Sequence, residues 1–492
     1  MNTHVIKIGG ENASDPRTAW WLATEHHNGT KIAVAISALR TKPLNTTTEL
    51  LKAKSVFDTG WMREAIDILK NLQRVHIETL QDAGMYDAEL SDKLQVLFEQ
   101  YFPENLIFPI PWGQYKQQWS QMDNLTLSGS EMRLPTQSVK QSLDIAKEQR
   151  FVWYGEVMSA HVLSHLLTTR HQIANTIIDH SIWAVQDDRN LSTLLRDEIG
   201  HRVHNSLDVG IVIVPGYVSV SGNSIIDAYG RGYTDKTAER TAVGLANLWH
   251  SPILHIQKQV PMYSSHPGNI SSVRPLWDIS YWTAAEITGA RGANAQVLNE
   301  HTITKELTMR KIPIWVYNPF ETNTPKTTIS QWWSSETGIQ FVDSRDHVST
   351  ITVSGFAMSW SGLLARLTDL FARGSLSIDS ISASETEVTF TTYNTLTEYE
   401  KSELWSKINT TLWSEYSIEI KNNIGMIYCI WDNLSGHPGL LEKITGTLAR
   451  AGIDIECVSQ SRWQRAITIG VSSTNLREGV KVLHARLIEN RD

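Results

Sequence analysis

Short runs of β-branched and aliphatic residues alternate with longer helix-like stretches over the first two thirds of the chain. The runs that predict buried strands lie at 4–10, 31–36, 210–214, 253–257 and 312–316. Helical periodicity begins at about Glu49, resumes at about residue 137 and returns after Gly232. Strands that alternate with helices favour a mostly parallel sheet covered by helices on both faces. The pattern therefore predicts an α/β domain, which we place at 1–335.

The last third of the chain contains an internal repeat. Two stretches share one order of elements: a strand, a glycine-containing loop, an amphipathic helix and a second strand. In both, a Ser-Gly or Pro-Gly pair precedes a helix that begins with Leu-Leu, and the helix ends near Gly374 or Gly452. Two generic βαβ units are the alternative, but the matched details favour duplicated modules, which we place at 345–420 and 421–492.

Composition narrows the class of protein. The chain has 492 residues, of which 41% are apolar and 20% charged, so several folded domains are expected. The net charge is -8 without any Lys/Arg-rich run, which argues against nucleic acid or a membrane surface as a partner. Two cysteines form no disulfide framework, and no secretory signal or membrane-spanning run is visible. We therefore expect a cytoplasmic protein.

A first motif with chemical potential follows the first predicted strand. Lys7 is followed by Gly9 and Gly10. Two glycines allow backbone N–H groups to approach a phosphate, and a neighbouring lysine neutralises its charge. Alone, the motif is equally an ordinary strand-to-turn junction.

A second motif follows the second predicted strand. Ser37 begins a loop that ends in the hydroxyl-rich pair Thr47 and Thr48. The carboxyl end of a strand is where α/β sheets bind ligands. A threonine here also serves as a helix N-cap, and both interpretations are compatible.

A third motif places an acid in an apolar helical stretch. Glu156 lies between Gly155 and Ser159. A buried carboxylate needs a partner, and the ammonium group of a substrate is a suitable one. A solvated helix-face glutamate is the alternative.

A fourth motif is a glycine-rich turn at 230–235. Arg231 can face an anion there, and Asp235 lies near the start of a helix. A carboxylate at this place can orient groups in phosphoryl transfer. The simpler interpretation is a turn with a helix-capping aspartate.

Taken in order, the four motifs resemble those of the aspartokinases, a branch of the amino-acid kinase family. The family's Lys-Phe-Gly-Gly, Ser-Ala with Thr-x-Leu-Leu, Gly-Glu-x-x-Ser and Gly-Arg-Gly-x-(Ser/Thr)-Asp are similar to the stretches at 7–10, 37–51, 155–159 and 230–235. The Tyr-Thr form of the last motif looks most like the fungal-type branch. The resemblance covers essentially the whole chain, because the C-terminal repeat resembles the family's paired ACT modules.

The resemblance implies an amino-acid kinase fold followed by two βαββαβ ACT domains. It implies phosphorylation of the side-chain carboxylate of aspartate, or of a close analogue, by ATP with Mg²⁺, and no metal site of protein side chains. The implied catalytic residues are Lys7, Arg231 and Asp235. The implied substrate-binding residues are Ser37, Thr48, Glu156 and Arg231. The implied nucleotide-binding residues are Lys7, Gly9, Gly10, Thr234, Asp235, Lys258 and Tyr263.

The paired ACT modules imply allosteric regulation and a homodimer. The implied regulatory residues are Ser361, Gly362, Asp379, Ser384 and Glu385. A reactive acyl phosphate further implies a downstream reductase or transferase as partner.

The chain also departs from the family pattern. Glu11 and Asn12 replace the Thr-Ser that follows the glycine pair, and His266 and Gly268 replace the Asp and Arg of an Asp-Pro-Arg motif. The changes concentrate in the nucleotide motifs. Two hypotheses follow. The first is a divergent aspartate kinase of a specialised biosynthetic pathway. The second is a catalytically impaired, amino-acid-sensing regulator of a partner enzyme.

Overall fold

The fold is described from a computed structural model of the chain. The structure describes residues 3–40, 46–58, 62–101, 136–178, 191–216, 233–290, 298, 303–321, 325–332, 338–355, 362–393, 395–412, 416–432, 438–460 and 465–490. Its contacts divide the chain into two compact units. The first comprises Met1–Gln259 and Thr304–Thr324, and the second comprises Val260–Ile303 and Pro325–Asp492.

The first unit is built on a parallel sheet. Its strands are β1 (Thr3–Ile8), β2 (Lys31–Ile36), β3 (Asn175–Ile177), β4 (Ile211–Pro215), β5 (Pro252–Gln257) and β7 (Ile314–Tyr317). They run in the order β3-β4-β2-β1-β5-β7, and every neighbouring pair is parallel. All six residues of β1 are buried, as is typical of a strand in a parallel sheet covered on both faces.

Helices flank this sheet, which confirms the predicted α/β class. They are α1 (Gly10–Ala13), α2 (Arg17–His27), α3 (Thr46–Asp58), α4 (Met62–Asp82), α5 (Ala88–Tyr101), α6 (Thr136–His171), α7 (Leu191–Ser206), α8 (Tyr233–Asn247) and α10 (Lys305–Met309). Helix α8 packs on β1, β2 and β5, whereas α6 packs on β2, β3 and β4. None of the described helices is both long and apolar enough to cross a membrane.

Two glycines allow helices α7 and α8 to touch backbone to backbone. A Cβ added to Gly200 would lie 2.7 Å from the Cα of Gly244. Real Cβ atoms do not approach backbone this closely, so the crossing requires glycine on both helices. Because Thr234 and Asp235 lie in the first turn of α8, this crossing also fixes where they lie.

The second unit begins with a short parallel pair. Strand β6 (Asp278–Ser280) pairs with β8 (Thr327–Ser330), and helix α9 (Tyr281–Gly289) follows β6 directly. The other strands are β9 (Phe341–Ser354), β10 (Ile378–Ala383), β11 (Glu387–Thr392), β12 (Ser417–Ile430), β13 (Cys457–Gln460) and β14 (Ala466–Ser472). The other helices are α11 (Leu363–Arg373), α12 (Glu398–Leu412), α13 (Leu440–Arg450) and α14 (Ser473–His484), which continues into a π-helical turn at Ala485–Glu489.

Both predicted βαββαβ modules lie in one antiparallel sheet of order β10-β11-β9-β12-β14-β13. Strands β9 and β12 run through both modules. The second half of β9 lies between β11 and the first half of β12, whereas the first half of β9 pairs with the second half of β12, which also pairs with β14. The second module thus takes its outer strand from 341–348, ahead of the first module, and the predicted boundary at 420/421 falls within β12.

The crossing between modules is marked in the backbone. His347 of β9 and Asn423 of β12 have φ values of 61° and 63°. The register of the two strands shifts at the same place, on either side of Ile424. A residue with left-handed backbone dihedrals in each strand allows the two paired strands to shift register without a break.

Helix α9 is held at both ends by groups of the ACT-type sheet. Asp432, which follows β12 and is buried, accepts the backbone N–H of Ser280 at 3.2 Å and the hydroxyls of Ser280 and Thr283. Arg345 of β9 donates to the carbonyl of Gly289, at the last residue of the helix. An acid at the N-terminus and a guanidinium at the C-terminus both complement the helix dipole.

The close crossing of α7 and α8 gives a first prediction. Replacing Gly200 with alanine forces the helices apart and should lower the free energy of unfolding by about 1–3 kcal/mol, as overpacking typically does. Gly289→Ala is the matched control, because a Cβ there meets nothing within 4 Å. Chemical denaturation measures both variants, and equal stability of the two would contradict the crossing.

Candidate functional site

Four strands of the first sheet deliver their following residues to one edge. Because β1, β2, β4 and β5 are parallel neighbours, their carboxyl ends lie together. The residues that come next are Gly9, Ser37, Gly216 and Lys258. The backbone confirms the convergence, since Ser37 donates to the carbonyl of Ile8 at 3.0 Å and Gly216 to that of Ile36 at 2.8 Å. This edge is where parallel sheets place ligands.

A buried ion pair lies at the centre of this edge. The Nζ of Lys7 is 2.8 Å from Oδ1 of Asp235, and the two side chains are 9% and 1% exposed. The lysine side chain passes under the glycine loop, because a Cβ on Gly9 would lie 3.6 Å from that Nζ. The pair joins strand β1 to the first turn of α8, so the structure brings two of the sequence-predicted site residues together.

Three further predicted residues form a second group. The hydroxyls of Ser37 and Thr234 are 2.7 Å apart. The Thr234 hydroxyl also lies 3.5 Å from Oε1 of Glu156, which comes from helix α6. The loop after β2, the first turn of α8 and helix α6 therefore contribute one polar group each. Since Thr234 precedes Asp235 in the chain, this group adjoins the ion pair.

The loop that carries Ser37 is packed too closely for larger residues beside it. A Cβ on Gly10 would lie 2.6 Å from the carbonyl oxygen of Ala38, and one on Gly155 would lie 2.9 Å from the Cβ of Ala38. The glycines of the first and third motifs thus serve close packing against this loop. Ser159, which the sequence analysis gave no role, accepts the backbone N–H of Leu39 at 2.9 Å.

Lys258 adds a second cation to the site. It is half-buried at the end of β5, and its N–H donates to the carbonyl of Tyr317 at 3.0 Å. Burial lowers the pKa of Lys258 to about 8, assisted by the nearby charge of Lys7 and opposed by the carboxylates of Asp235 and Glu11. The amine is therefore close to half-protonated just above neutral pH.

The two residues that depart from the family pattern after Gly10 have identifiable partners. Glu11 is directed outward and forms an ion pair with Arg40, with side chains 44% and 53% exposed. Asn12 is buried and bridges Gln257 and Gln259, at 3.4 and 3.2 Å. Where the family has two hydroxyl residues, this chain thus has an outward-facing carboxylate, Glu11, and a buried amide, Asn12, that connects to strand β5 and the residues after it.

Not every predicted residue joins the group. Thr48 is exposed on the first turn of α3, whereas Thr46 of the same hydroxyl run is buried and donates to the carbonyl of Leu39. The sequence singled out Thr47 and Thr48 and led to Thr48, so Thr46 was missed although it directly precedes them. Arg231 and Ser361 lie outside the described residues, so their predicted roles stay predictions.

The remaining predicted nucleotide residue, Tyr263, lies in the second unit. It is half-buried and forms an isolated antiparallel bridge with Pro275. In the altered motif nearby, Nδ1 of His266 accepts the N–H of Gly268 at 3.0 Å. The stretch that departs from the family's Asp-Pro-Arg is thus a local turn whose histidine binds its own backbone.

The predicted regulatory residues divide into buried and exposed ones. Asp379 of β10 pairs with Arg345 at 3.2 Å and accepts the hydroxyl of Tyr428 at 2.5 Å. Burial, together with the charge of Asp379, raises the pKa of Tyr428 well above its ordinary value. Ser384 and Glu385, by contrast, are exposed in the turn between β10 and β11. Gly362 precedes α11 with a left-handed φ of 87°.

Comparison with known proteins gives relatives of one kind. The lysine-sensitive aspartokinase 3 of Escherichia coli is 22% identical over 375 residues, covering 75% of this chain and 80% of the relative. The aspartokinase of Schizosaccharomyces pombe is 22% identical over an alignment of 527 positions, covering 99% of this chain and 92% of the relative. The family model of the ACT domain matches residues 430–487.

Solved structures show the same fold. A structure of E. coli aspartokinase III in complex with aspartate and ADP has a TM-score of 0.68 at 20% identity and covers 99% of both chains. The aspartate kinase of Clostridium acetobutylicum has a TM-score of 0.71 at 15% identity and covers 99% of this chain and 100% of that one. The fold, the relatives and the ACT match agree with the four motifs: the chain is a homologue of the aspartokinases and carries a C-terminal ACT domain.

Proposed function

We propose that the chain is an aspartate kinase, which transfers a phosphoryl group from ATP to the side-chain carboxylate of L-aspartate or a close analogue. The observation that carries the proposal is the meeting of the Lys7–Asp235 pair with the Ser37, Thr234 and Glu156 group at one edge of the sheet. Relatives with aspartokinase names along 99% and 75% of the chain support it.

In phosphoryl transfer the protein mainly positions the two substrates and stabilises the negative charge of the transferred group. An oxygen of the substrate carboxylate bonds to the γ-phosphorus while the bond from that phosphorus to the oxygen of ADP breaks, which yields an acyl phosphate. Lys7, held at 2.8 Å by Asp235, stabilises negative charge on the transferred group. Ser37 and Thr234 supply hydroxyl donors, and Glu156 holds the ammonium group of the substrate.

Magnesium is expected to accompany the nucleotide phosphates. Asp235 is engaged by Lys7 at 2.8 Å, which favours a metal bound by phosphate oxygens over one held by protein carboxylates. Arg231 and Thr48 remain candidates for phosphate and substrate contacts. The acyl phosphate product is reactive, so a reductase or transferase that consumes it is the expected partner.

The activity is tested by trapping the acyl phosphate with hydroxylamine across a panel of acidic amino acids. We expect a hydroxamate with L-aspartate that depends on both ATP and Mg²⁺. Absence of product with every acidic amino acid, together with retained amino-acid binding, would replace the kinase by a regulator.

Glu156 provides a specific prediction for the substrate side. Glu156→Gln removes the charge that pairs with the substrate ammonium, which is commonly worth about 1.5–3 kcal/mol. We therefore expect the KM for aspartate to rise about tenfold or more while the KM for ATP stays unchanged. Glu64→Gln, an exposed acid on α4, is the control. An unchanged KM for aspartate would remove this assignment.

Lys258 provides a prediction for the nucleotide side. Because its pKa is about 8, the ammonium loses its proton as pH rises from 7 to 9. We expect the KM for MgATP to rise over this interval by about tenfold, the worth of one charged hydrogen bond. In Lys258→Gln the KM should be high already at pH 7 and independent of pH. Lys70→Gln, on the exposed side of α4, is the control and should keep the wild-type dependence of this KM on pH. If Lys258→Gln also kept the wild-type pH dependence, the lysine would have no part in nucleotide binding.

A regulator without kinase activity is the second candidate. It is favoured by Gly268, since a glycine there supplies no guanidinium for a phosphate. Loss of one such contact weakens MgATP binding by roughly ten- to a hundredfold. Calorimetric titration of MgATP distinguishes the two, because a regulator of this kind binds amino acids but no nucleotide.

We further propose that the ACT modules bind an amino-acid effector and assemble the chain as a homodimer. Ser384 and Glu385 are exposed and accessible to a ligand, whereas Asp379 already contacts Arg345 and Tyr428. An effector that binds Asp379 therefore joins or replaces these two partners. Sedimentation at micromolar concentration tests the dimer.

A further inference from the structure

The backbone of the loop at 37–40 is tied to several elements of the first unit, in addition to the side-chain contacts of Ser37 and Arg40. Three of its N–H bonds tie it to three different elements: strand β1, the first residue of helix α1 and helix α6. The donor–acceptor pairs are Ser37 to the carbonyl of Ile8 at 3.0 Å, Leu39 to the hydroxyl of Ser159 at 2.9 Å and Arg40 to the carbonyl of Gly10 at 3.1 Å. These three bonds restrict the backbone of the loop that carries Ser37.

The carbonyl of Leu39 is held from the opposite side. It accepts the hydroxyl of Thr46, which is 3% exposed at the start of α3. The same hydroxyl lies 2.8 Å from Nε2 of His76, a residue of α4 that is fully buried. Leu39 thus receives one bond on its N–H from α6 and one on its carbonyl from α3.

The direction of these bonds follows from elementary chemistry. A carbonyl oxygen only accepts, so the Thr46 hydroxyl donates its single proton to Leu39. The oxygen of that hydroxyl must then accept from His76, which places the imidazole proton on Nε2. The other nitrogen, Nδ1, is buried and has no hydrogen-bond partner among the described residues.

The imidazole is held in this neutral form. Burial lowers the pKa of His76 to about 3, so the ring carries no charge at neutral pH. In this neutral ring the single proton lies on Nε2, where Thr46 accepts it. A charged ring would donate equally well from Nε2, but its second proton would point into a site without an acceptor.

We propose that His76 and Thr46 are positioning residues that fix the loop at 37–40, and with it the hydroxyl of Ser37 toward Thr234, for phosphoryl transfer. The proposal rests on the function assigned above, since it gives the loop its task. Neither side chain is expected to touch substrate. They act through the carbonyl of Leu39.

Core packing alone is a poor explanation for this pair. A buried imidazole and hydroxyl lose hydration, and an apolar pair of similar volume would join α3 to α4 without that cost. The hydrogen bonds also run in one direction. They lead from His76 through Thr46 to the backbone carbonyl of Leu39, two residues after Ser37. The pair therefore links the contact between α3 and α4 to the backbone of the loop that carries Ser37.

Substitution of Thr46 separates hydrogen bonding from shape. Thr46→Val keeps the branched volume and removes both bonds, whereas Thr46→Ser keeps the hydroxyl. We expect kcat/KM for aspartate to fall at least tenfold in the valine variant and to stay within about threefold of wild type in the serine variant. Thr79→Val is the matched control, because among the described residues its hydroxyl bonds within α4 alone, to the carbonyl of Val75 at 2.8 Å.

Substitution of His76 tests whether the two residues act as one unit. His76→Phe keeps an aromatic ring and removes the donor. If the residues act in series, the double variant Thr46→Val/His76→Phe should lose no more activity than the worse of the two single variants. Additive losses would mean independent roles and would overturn the proposal.

Amide hydrogen exchange provides a readout that does not depend on catalysis. We expect the amides of Leu39 and Arg40 to exchange at least tenfold faster in Thr46→Val than in wild type, Thr46→Ser or Thr79→Val. If the wild-type protein made no hydroxamate, the proposed activity would fail while exchange still decided whether the two residues hold the loop. Unchanged exchange in Thr46→Val, or equal loss of activity in the serine and valine variants, would overturn the inference.

Discussion

A lysine buried beneath a glycine loop needs a counter-charge, and the placement of that counter-charge organises the first unit. Lys7 lies on the central strand, and its partner Asp235 stands in the first turn of α8. The ion pair therefore fixes the start of this helix against the end of β1. Thr234 then falls beside Ser37 at 2.7 Å. An uncompensated charge at such depth would cost several kcal/mol, so removing either residue alone is expected to destabilise the unit more than removing both.

Charged side chains also hold elements of the second unit together. Helix α9 has an aspartate at its N-terminus and an arginine at its C-terminus, both supplied by the ACT-type sheet. The same Arg345 pairs with Asp379 of the edge strand β10. A ligand that disturbed β10 would thus also disturb the last turn of α9. The sheet and the helix cannot move independently unless this arginine changes partners.

The sequence predicted the strands and the four motifs because their causes are local. Short runs rich in β-branched and aliphatic residues need a buried sheet, and glycines mark where backbones approach. It pointed to Thr48 and missed Thr46, the neighbouring threonine that is buried, because the two differ only in helical phase, and distant packing sets that phase. Nor could it show that β9 serves both modules, since strand register depends on partners some 80 residues away. Arg231 stays a prediction, as does the likeness to the fungal-type branch.

The shared strands also constrain the order in which the chain can fold as it is synthesised. The outer strand of the second module, at 341–348, leaves the ribosome before the first module, yet its partner at 424–430 follows about 80 residues later. Until then one edge of β9 remains unpaired, a template for wrong pairing. The first module closes a complete sheet only when 417–421 arrives, so both modules reach their native pairing almost together. Deleting either one would leave the other with an open edge.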